Sequence, residues 1–226
     1  MTLKILAIET STEFCSVALD LDGITTNNEV AAGQRHSELL LSMIQTLLAD
    51  AELSLQQIDG IAFGAGPGSF TGLRIACGVA QGLAFAADLP VVAISTMEAL
   101  AEKIGQPKVI VALDARMGEI YHAAYRQTNQ HDWKMICPPS LCLPQQAPSV
   151  PDSDWHGCGS GFDTYDEVLS NRYRDDIQRI HYGLHPHAAQ IAHLALPQFR
   201  AHAGIDPAKA TPVYIRNKVA LKENER

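Results

Sequence analysis

Ile61-Ala-Phe-Gly-Ala-Gly-Pro-Gly-Ser-Phe-Thr-Gly-Leu-Arg74 decides the fold. An apolar, strand-like run enters three glycines spaced two apart, Gly64, Gly66 and Gly68, and leaves directly into a helical pattern beginning near Thr71. Glycine admits positive φ and the close approach of a second backbone, and the helix start that follows carries unpaired N–H groups. Such a turn either cradles a phosphate or packs tightly for structural reasons, and the residues alone leave both readings open. It lacks the Gly-Lys-Ser/Thr ending of a nucleoside-triphosphatase phosphate loop, so no lysine stands there to meet β- and γ-phosphates. Glu9, Thr10 and Ser11, closing the first strand-like run, together with Gly66, Gly68 and Ser69 of the turn, are the residues that would make any residual nucleotide contact. With no metal-binding aspartate at Glu9–Ser11, independent ATP hydrolysis is not expected.

Outward from this turn, Lys4–Thr10 and Cys15–Leu21 read as strands, Asp22-Gly23 as a two-residue hairpin turn, and Ile24–Val30 as a returning third strand. A helix spans about Ser37–Asp50, and strands lie near Gly60–Phe63 and Pro90–Ile94. Helices follow at Thr71–Ala87 and Thr96–Ile104, the second opened by a Ser95/Glu98 capping box. The order βββαβαβα therefore fills residues 1–105, and Gly105-Gln-Pro107 reads as the boundary to a smaller second unit, 106–226. There Val109–Leu113 and Ile120–Arg126 are strands, with Trp133–Ile136 a third candidate. Proline-rich Cys137–Asp154 reads as irregular, Asp163–Asn171 and Pro186–Leu196 as helices, and Pro212–Ile215 as a short closing strand.

Composition narrows the function. The 226 residues are 46% hydrophobic and 19% charged, enough for one or two packed cores. A formal net charge of −8 opposes direct binding to nucleic-acid phosphates, and the one basic cluster runs from Arg216 to Lys222, so tRNA is expected to be met only through a partner. No signal peptide or membrane span is read, because Arg74 and Gln81 interrupt the longest apolar run, and a cytoplasmic location is expected. The odd set Cys15, Cys77, Cys137, Cys142 and Cys158 fits reduced thiols better than a disulfide framework. Cys137, Cys142, His156 and Cys158 are too irregularly spaced for a zinc set, and no metal is expected. Asp114 and Arg116 either clamp a carboxylate at a cleft or lock a turn, the second being the expectation, and His181, His185 and His187 are expected to form a surface cluster around Pro186. A Gly-x-Ser-x-Gly elbow with partners is missing, and no catalytic residue is assigned.

Four segments carry a family resemblance: Leu6-Ala-Ile-Glu-Thr-Ser-Thr12, Gly66-Pro-Gly-Ser-Phe-Thr-Gly-Leu-Arg74, Asp114-Ala-Arg-Met-Gly-Glu-Ile-Tyr121 and Pro212-Val-Tyr-Ile-Arg-Asn-Lys-Val219. In this order they resemble the bacterial TsaB (YeaZ) family nearly end to end. The resemblance implies an α/β chain with a two-lobed actin-like/sugar-kinase-like ATPase fold and a reduced C-terminal lobe. It also implies a part in threonylcarbamoylation of the adenosine beside the tRNA anticodon, in a complex with the catalytic paralogue TsaD and the ATPase TsaE. TsaD carries His-Met-Glu-Gly-His after the equivalent strand, two imidazoles one helical turn apart that bind a metal. Here the same place reads Thr96-Met-Glu-Ala-Leu100, and leucine cannot ligate a metal. A pseudoenzyme is the expectation, with no cofactor of its own and ATP or ADP at the heteromeric junction left open. Alternatives are a stand-alone ATP-dependent transferase or a peptidase of the same superfamily.

The helices offer the positive functional signal. Leu40, Met43 and Leu47 make one apolar stripe and Leu41, Ile44 and Leu48 a second, while Thr71–Ala87 is apolar nearly all round, with Gly72, Ala76, Ala80 and Ala84 four apart. Either both helices are buried within their lobe, or one face meets a partner. The association of TsaB with TsaD through N-terminal helices, which the resemblance implies, favours the second reading. His36, Leu40, Met43, Leu47, Leu73, Ala76, Cys77, Ala80 and Ala84 are then the expected contacts, with TsaD or with a second copy in a homodimer. On that reading Ala76→Glu or Ala80→Arg would abolish pairing and spare the fold.

Overall fold

In the computed structural model, which describes residues 2–129 and 131–216, two five-stranded sheets carry the chain. The first contains β1 (Lys4–Glu9), β2 (Phe14–Leu21) and β3 (Ile24–Ala31), followed by helix α1 (His36–Asp50) and β4 (Gly60–Gly66). Then come α2 (Phe70–Ala87), β5 (Val91–Ser95) and α3 (Thr96–Ile104). The second sheet contains β6 (Lys108–Arg116), β7 (Glu119–Asn129), β8 (Asp132–Cys142) and β9 (Trp155–Cys158). Helices α4 (Ser160–Thr164) and α5 (Asp166–Arg172), strand β10 (Ile177–His181) and helix α6 (Ala188–Arg200) complete it.

Strand order is β3-β2-β1-β4-β5 in one sheet and β8-β7-β6-β9-β10 in the other, with only β2 and β7 antiparallel to their neighbours. The second half thus repeats the first strand for strand. This is the two-lobed actin-like plan expected from the sequence. The second lobe is the reduced one: its sheet is complete, but among the described residues it has no helix equivalent to α1, residues 143–154 spanning β8 to β9 with a single short turn of 3₁₀ helix.

The central strands of both sheets, β1, β4 and β6 among them, are buried on both faces, which period-2 alternation makes visible. Ile5 and Ala7 of β1 point to one side with Ala62 of β4, and Leu6 and Ile8 to the other with Ile61 and Phe63. In β6, Val109, Val111 and Leu113 share the first cluster, whereas Ile110 and Ala112 join Trp155, Phe162 and Tyr173 on the far side. The layers run α1 and α2, first sheet, α3 and α6, second sheet, α4 and α5. Helix α6 lies across β1, β2, β4 and β5 although it belongs to the second half of the chain, and α3 packs on β6. The sheets therefore divide near residue 105, while helix α6 of the second half packs on the first sheet.

Three expectations need correction. Pro138 and Pro139 do not break the chain into an irregular loop: β8 runs through them to Cys142, because it is the edge strand, where a missing N–H costs no ladder bond. Strands β9 and β10 were not anticipated, since four or five residues with mixed polarity leave no periodic trace. Pro212–Ile215 is not a strand, and joins β4 by a single bond from Val213 N–H to the Ala65 carbonyl at 2.7 Å.

The small-residue ridge of α2 faces inward. Ala76, Ala80 and Ala84 are fully buried, Leu73 and Cys77 nearly so, and His36, Leu40, Met43 and Leu47 of α1 are likewise buried against the first sheet. His36 bonds the Phe14 carbonyl at 3.1 Å. All nine residues expected at a partner interface are buried in this chain, seven of them in the cluster between the helices and the first sheet, and the alanine ridge is what lets α2 sit close on β4. By length and composition α2 could cross a membrane, with a mean hydropathy of 1.3; its buried side is committed to the sheet.

Ala80→Glu should therefore unfold the chain rather than only uncouple it, costing more than about 3 kcal/mol for an uncompensated buried charge. Urea melts that leave it as stable as the parent would show that α2 is misplaced. Gly82→Glu, two residues along and open to solvent, should leave the midpoint unchanged or slightly raised.

Candidate functional site

The glycine turn is built against the end of β1. Glu9, Thr10 and Ser11 are all buried. Thr10 Oγ1 donates to the Gly72 carbonyl at 2.8 Å, and Ser69 N–H donates to the Ser11 carbonyl at 2.8 Å. Ser69 Oγ caps α2 by accepting from Gly72 N–H at 3.4 Å. A Cβ at Gly72 would overlap the Thr10 carbonyl, and one at Gly64 would overlap the Glu9 carboxylate. The close approach that glycine permits is used by the protein's own backbone.

The Glu9 carboxyl is the anomalous group here. One oxygen accepts from Ser11 N–H at 2.5 Å, while Oε2, like the Ser11 hydroxyl, has no partner among the described residues. Burial pushes its pKa up to about 7, against the pull of the bonds from Ser11 and Thr10. Thr96, at the start of α3, donates to the Pro67 carbonyl at 2.6 Å, and Leu100 is fully buried. Ser95 Oγ accepts from the Glu98 amide at 3.4 Å, making the serine half of the expected capping box. Burial first, then Glu102 and Asp132, hold the Glu98 carboxyl at about 7.

The cleft between the lobes is crossed by residues 212–216. Arg74 Nε donates to Tyr214 Oη at 3.0 Å, with the guanidinium stacked 3.4 Å over the Phe70 ring. Arg216 donates to the Ala115 carbonyl at 3.0 Å and pairs with Glu119 at 2.8 Å, tying this strap to the turn between β6 and β7. The cavity left beneath, walled by Pro67, Phe70, Leu73, Tyr121 and the strap, measures about 60 Å³. Small-molecule sites are typically about 300–1,000 Å³.

Other expected groups fall into place. Arg116 pairs with Asp114 at 3.2 Å and its amide bonds the same carboxylate at 2.8 Å, locking the turn. Cys137, Cys142, His156 and Cys158 do not converge, and all five cysteines are free. His185 and His187 are not a surface cluster: both face Glu29 of β3 at 2.9 and 3.6 Å, and His187 Nδ1 caps α6. His181 instead meets His156 at 2.9 Å. Of the basic cluster, Arg216 is committed to the strap, and 217–222 lie outside the described residues.

What the residue pattern missed is the outer face of α2. Phe85 is 83% exposed, Gly78 and Gly82 have open space where side chains would project, and Ile75, Val79 and Leu83 are half-buried at its margins. On the neighbouring α1, Leu41 is 49% exposed. In a helix apolar all round, nothing in the sequence says which small-residue ridge is inside; only the sheet decides.

Two lobes of the same strand order, with a tight turn after β4 and residues 212–216 crossing the cleft between them, define a two-lobed α/β protein. A family model described as "TsaD: tRNA N6-adenosine threonylcarbamoyltransferase" matches residues 25–151. The tRNA threonylcarbamoyladenosine biosynthesis protein TsaB of Haemophilus influenzae is 37% identical, the match covering 98% of this chain and 97% of the relative. The Escherichia coli TsaB is 34% identical, with 98% of each covered. The solved structure titled YeaZ from Pseudomonas aeruginosa superposes with a TM-score of 0.87 at 36% identity, over 94% of this chain and 99% of that one. The chain belongs to the TsaB family of tRNA threonylcarbamoyladenosine biosynthesis proteins.

Glu9 makes a pH test. Its folded pKa lies above the ordinary value of 4.5, so its contribution to stability is complete below about pH 4.5 and is lost as pH rises toward 7. Glu9→Gln keeps the neutral shape, so the variant should gain on the parent across that window and hold a lead of about 3 kcal/mol above it. Parallel stability-against-pH curves for the two chains would refute the assignment.

Proposed function

We propose that this chain is a non-catalytic subunit of a tRNA-threonylcarbamoylating assembly in the cytoplasm, docking through the outer faces of α1 and α2 onto the paralogue TsaD, with TsaE joining the pair. The outer face of α2 carries the proposal: a largely exposed Phe85 beside the open positions of Gly78 and Gly82 on a helix whose other side is already spent on the sheet. Small residues allow close helix approach, and an aromatic anchor beside them suits a packed helical interface. Helices α1 and α2 lie side by side, so a related chain presenting the same pair would complete a four-helix arrangement. In the absence of the paralogue a second copy can occupy the same face.

The absence of catalysis is supported by Thr96 and Leu100, which stand where TsaD is expected to carry its metal-binding imidazoles, and by their commitment to the Pro67 carbonyl and the core. Against a nucleoside triphosphate at this turn stand three observations: among the described residues no lysine faces it, Thr10 and Ser11 cover the helix start, and the cavity measures about 60 Å³. The bicarbonate, threonine, ATP and tRNA chemistry then belongs to the assembly, and this chain supplies shape.

Gly78→Arg and Phe85→Glu should each keep the parent's melting temperature while abolishing co-elution with TsaD and lowering modified adenosine in a reconstituted reaction. If both variants still co-elute with TsaD at parental levels, the docking face lies elsewhere. Mg-ATP titrated into the isolated chain should give no saturable heat.

A further inference from the structure

Three side chains from distant parts of the sequence converge between the lobes: Glu102 of α3, His131 in the turn joining β7 to β8, and His193 of α6, with one donor atom of each within 4.8 Å of the others. Glu102 Oε1 contacts His131 Nδ1, and His193 Nδ1 lies 3.9 Å from the same oxygen. The Glu102 side chain is 7% exposed and both imidazoles 29%, so the pocket is sheltered yet open to a small ion.

The surrounding hydrogen bonds fix what these atoms present. Asp20, itself fully buried, can only accept from the Thr25 hydroxyl at 2.7 Å. With its proton so used, Thr25 Oγ1 must accept from His193 Nε2 at 3.0 Å. That places the ring proton on Nε2 and leaves the Nδ1 lone pair aimed at the Glu102 carboxylate. Glu102 is anchored in turn, its Oε2 accepting from Trp133 Nε1 at 2.7 Å. A carboxylate oxygen and an imidazole lone pair, each held by an outer hydrogen bond, thus face one another without a hydrogen between them. An imidazole whose other nitrogen is tied to an acceptor, next to an oriented carboxylate, is the arrangement of outer partners found around metal sites.

We infer that Glu102, His131 and His193 form a binding site for a zinc-class divalent cation. Two nitrogens and one oxygen suit Zn²⁺ and its neighbours, whereas Ca²⁺ and Mg²⁺ take oxygen ligands. Donors around a tetrahedral Zn²⁺ with bonds of about 2.1 Å stand about 3.4 Å apart, so closure needs a movement of about an ångström by the half-buried His131 and the transfer of its ring proton from Nδ1, now held against the Glu102 carboxylate, to Nε2. A fourth position remains for water. The ion would staple α3 and α6, the helices between the sheets, to the tip of the β7–β8 hairpin.

The test uses the tag-free full-length chain and Zn²⁺ alone, with Co²⁺ as the spectroscopic substitute. The parent should take up one equivalent in equilibrium dialysis, melt at a higher temperature with Zn²⁺, and show visible d–d absorption with Co²⁺. His131→Ala, in the turn, and the isosteric Glu102→Gln should each weaken binding about tenfold or more and lose the thermal shift. Glu29→Gln, which alters the separate His185/His187 group, should bind as the parent does. Failure of the parent to take up a saturable equivalent, or equal uptake by the His131 and Glu102 variants, overturns the site.

Discussion

Everything in the first lobe depends on one close approach: the backbone of Gly72 seated on the Thr10 carbonyl, with the Thr10 hydroxyl returning a bond to the Gly72 carbonyl. A side chain at that position would push α2 away from β1. With it absent, α2 settles onto β4, its alanine ridge meets the sheet, and its other ridge is turned outward. The amides at the helix start are taken by other partners: Ser69 N–H donates to the Ser11 carbonyl and Gly72 N–H to Ser69 Oγ. One steric constraint therefore sets the orientation of the exposed helix face.

The second organising feature is burial of the central strands of both sheets on both sides. Two lobes of identical strand order share a helical layer, α3 and α6, whose residues contact both sheets. Because α6 returns to the first sheet, the halves of the chain cannot part without exposing Ile191, Ala195 and Phe199. Polar contacts at this seam follow the same logic: Ala188 N–H bonds Ser16 Oγ, His185 stacks on Phe14, and Lys103 reaches the His185 carbonyl. The strap ending in Arg216 ties the opposite side of the cleft.

Much of this was legible from residue order. Strands β1 to β3, the Asp22-Gly23 turn and helix α3 declare themselves by alternation, by turn chemistry and by Ser95 as a cap. The candidate site was legible in part: Glu9, Thr10, Ser11 and the glycines do come together, yet their contacts run to one another. The outward ridge of α2 and the Glu102, His131 and His193 group were not legible. Those three residues stand at least 29 positions apart from one another in sequence, and a spacing of that size carries no local signal.

By itself the sequence determined the class of fold and the absence of a lysine in the turn after Gly68. These are properties of local pattern and of residue chemistry. Tertiary structure alone decided which ridge of an all-apolar helix is inside, whether prolines interrupt a strand, and which distant polar groups meet. Each of those depends on what packs against the residue, and a helix apolar on every side has no preferred face until a sheet covers one of them.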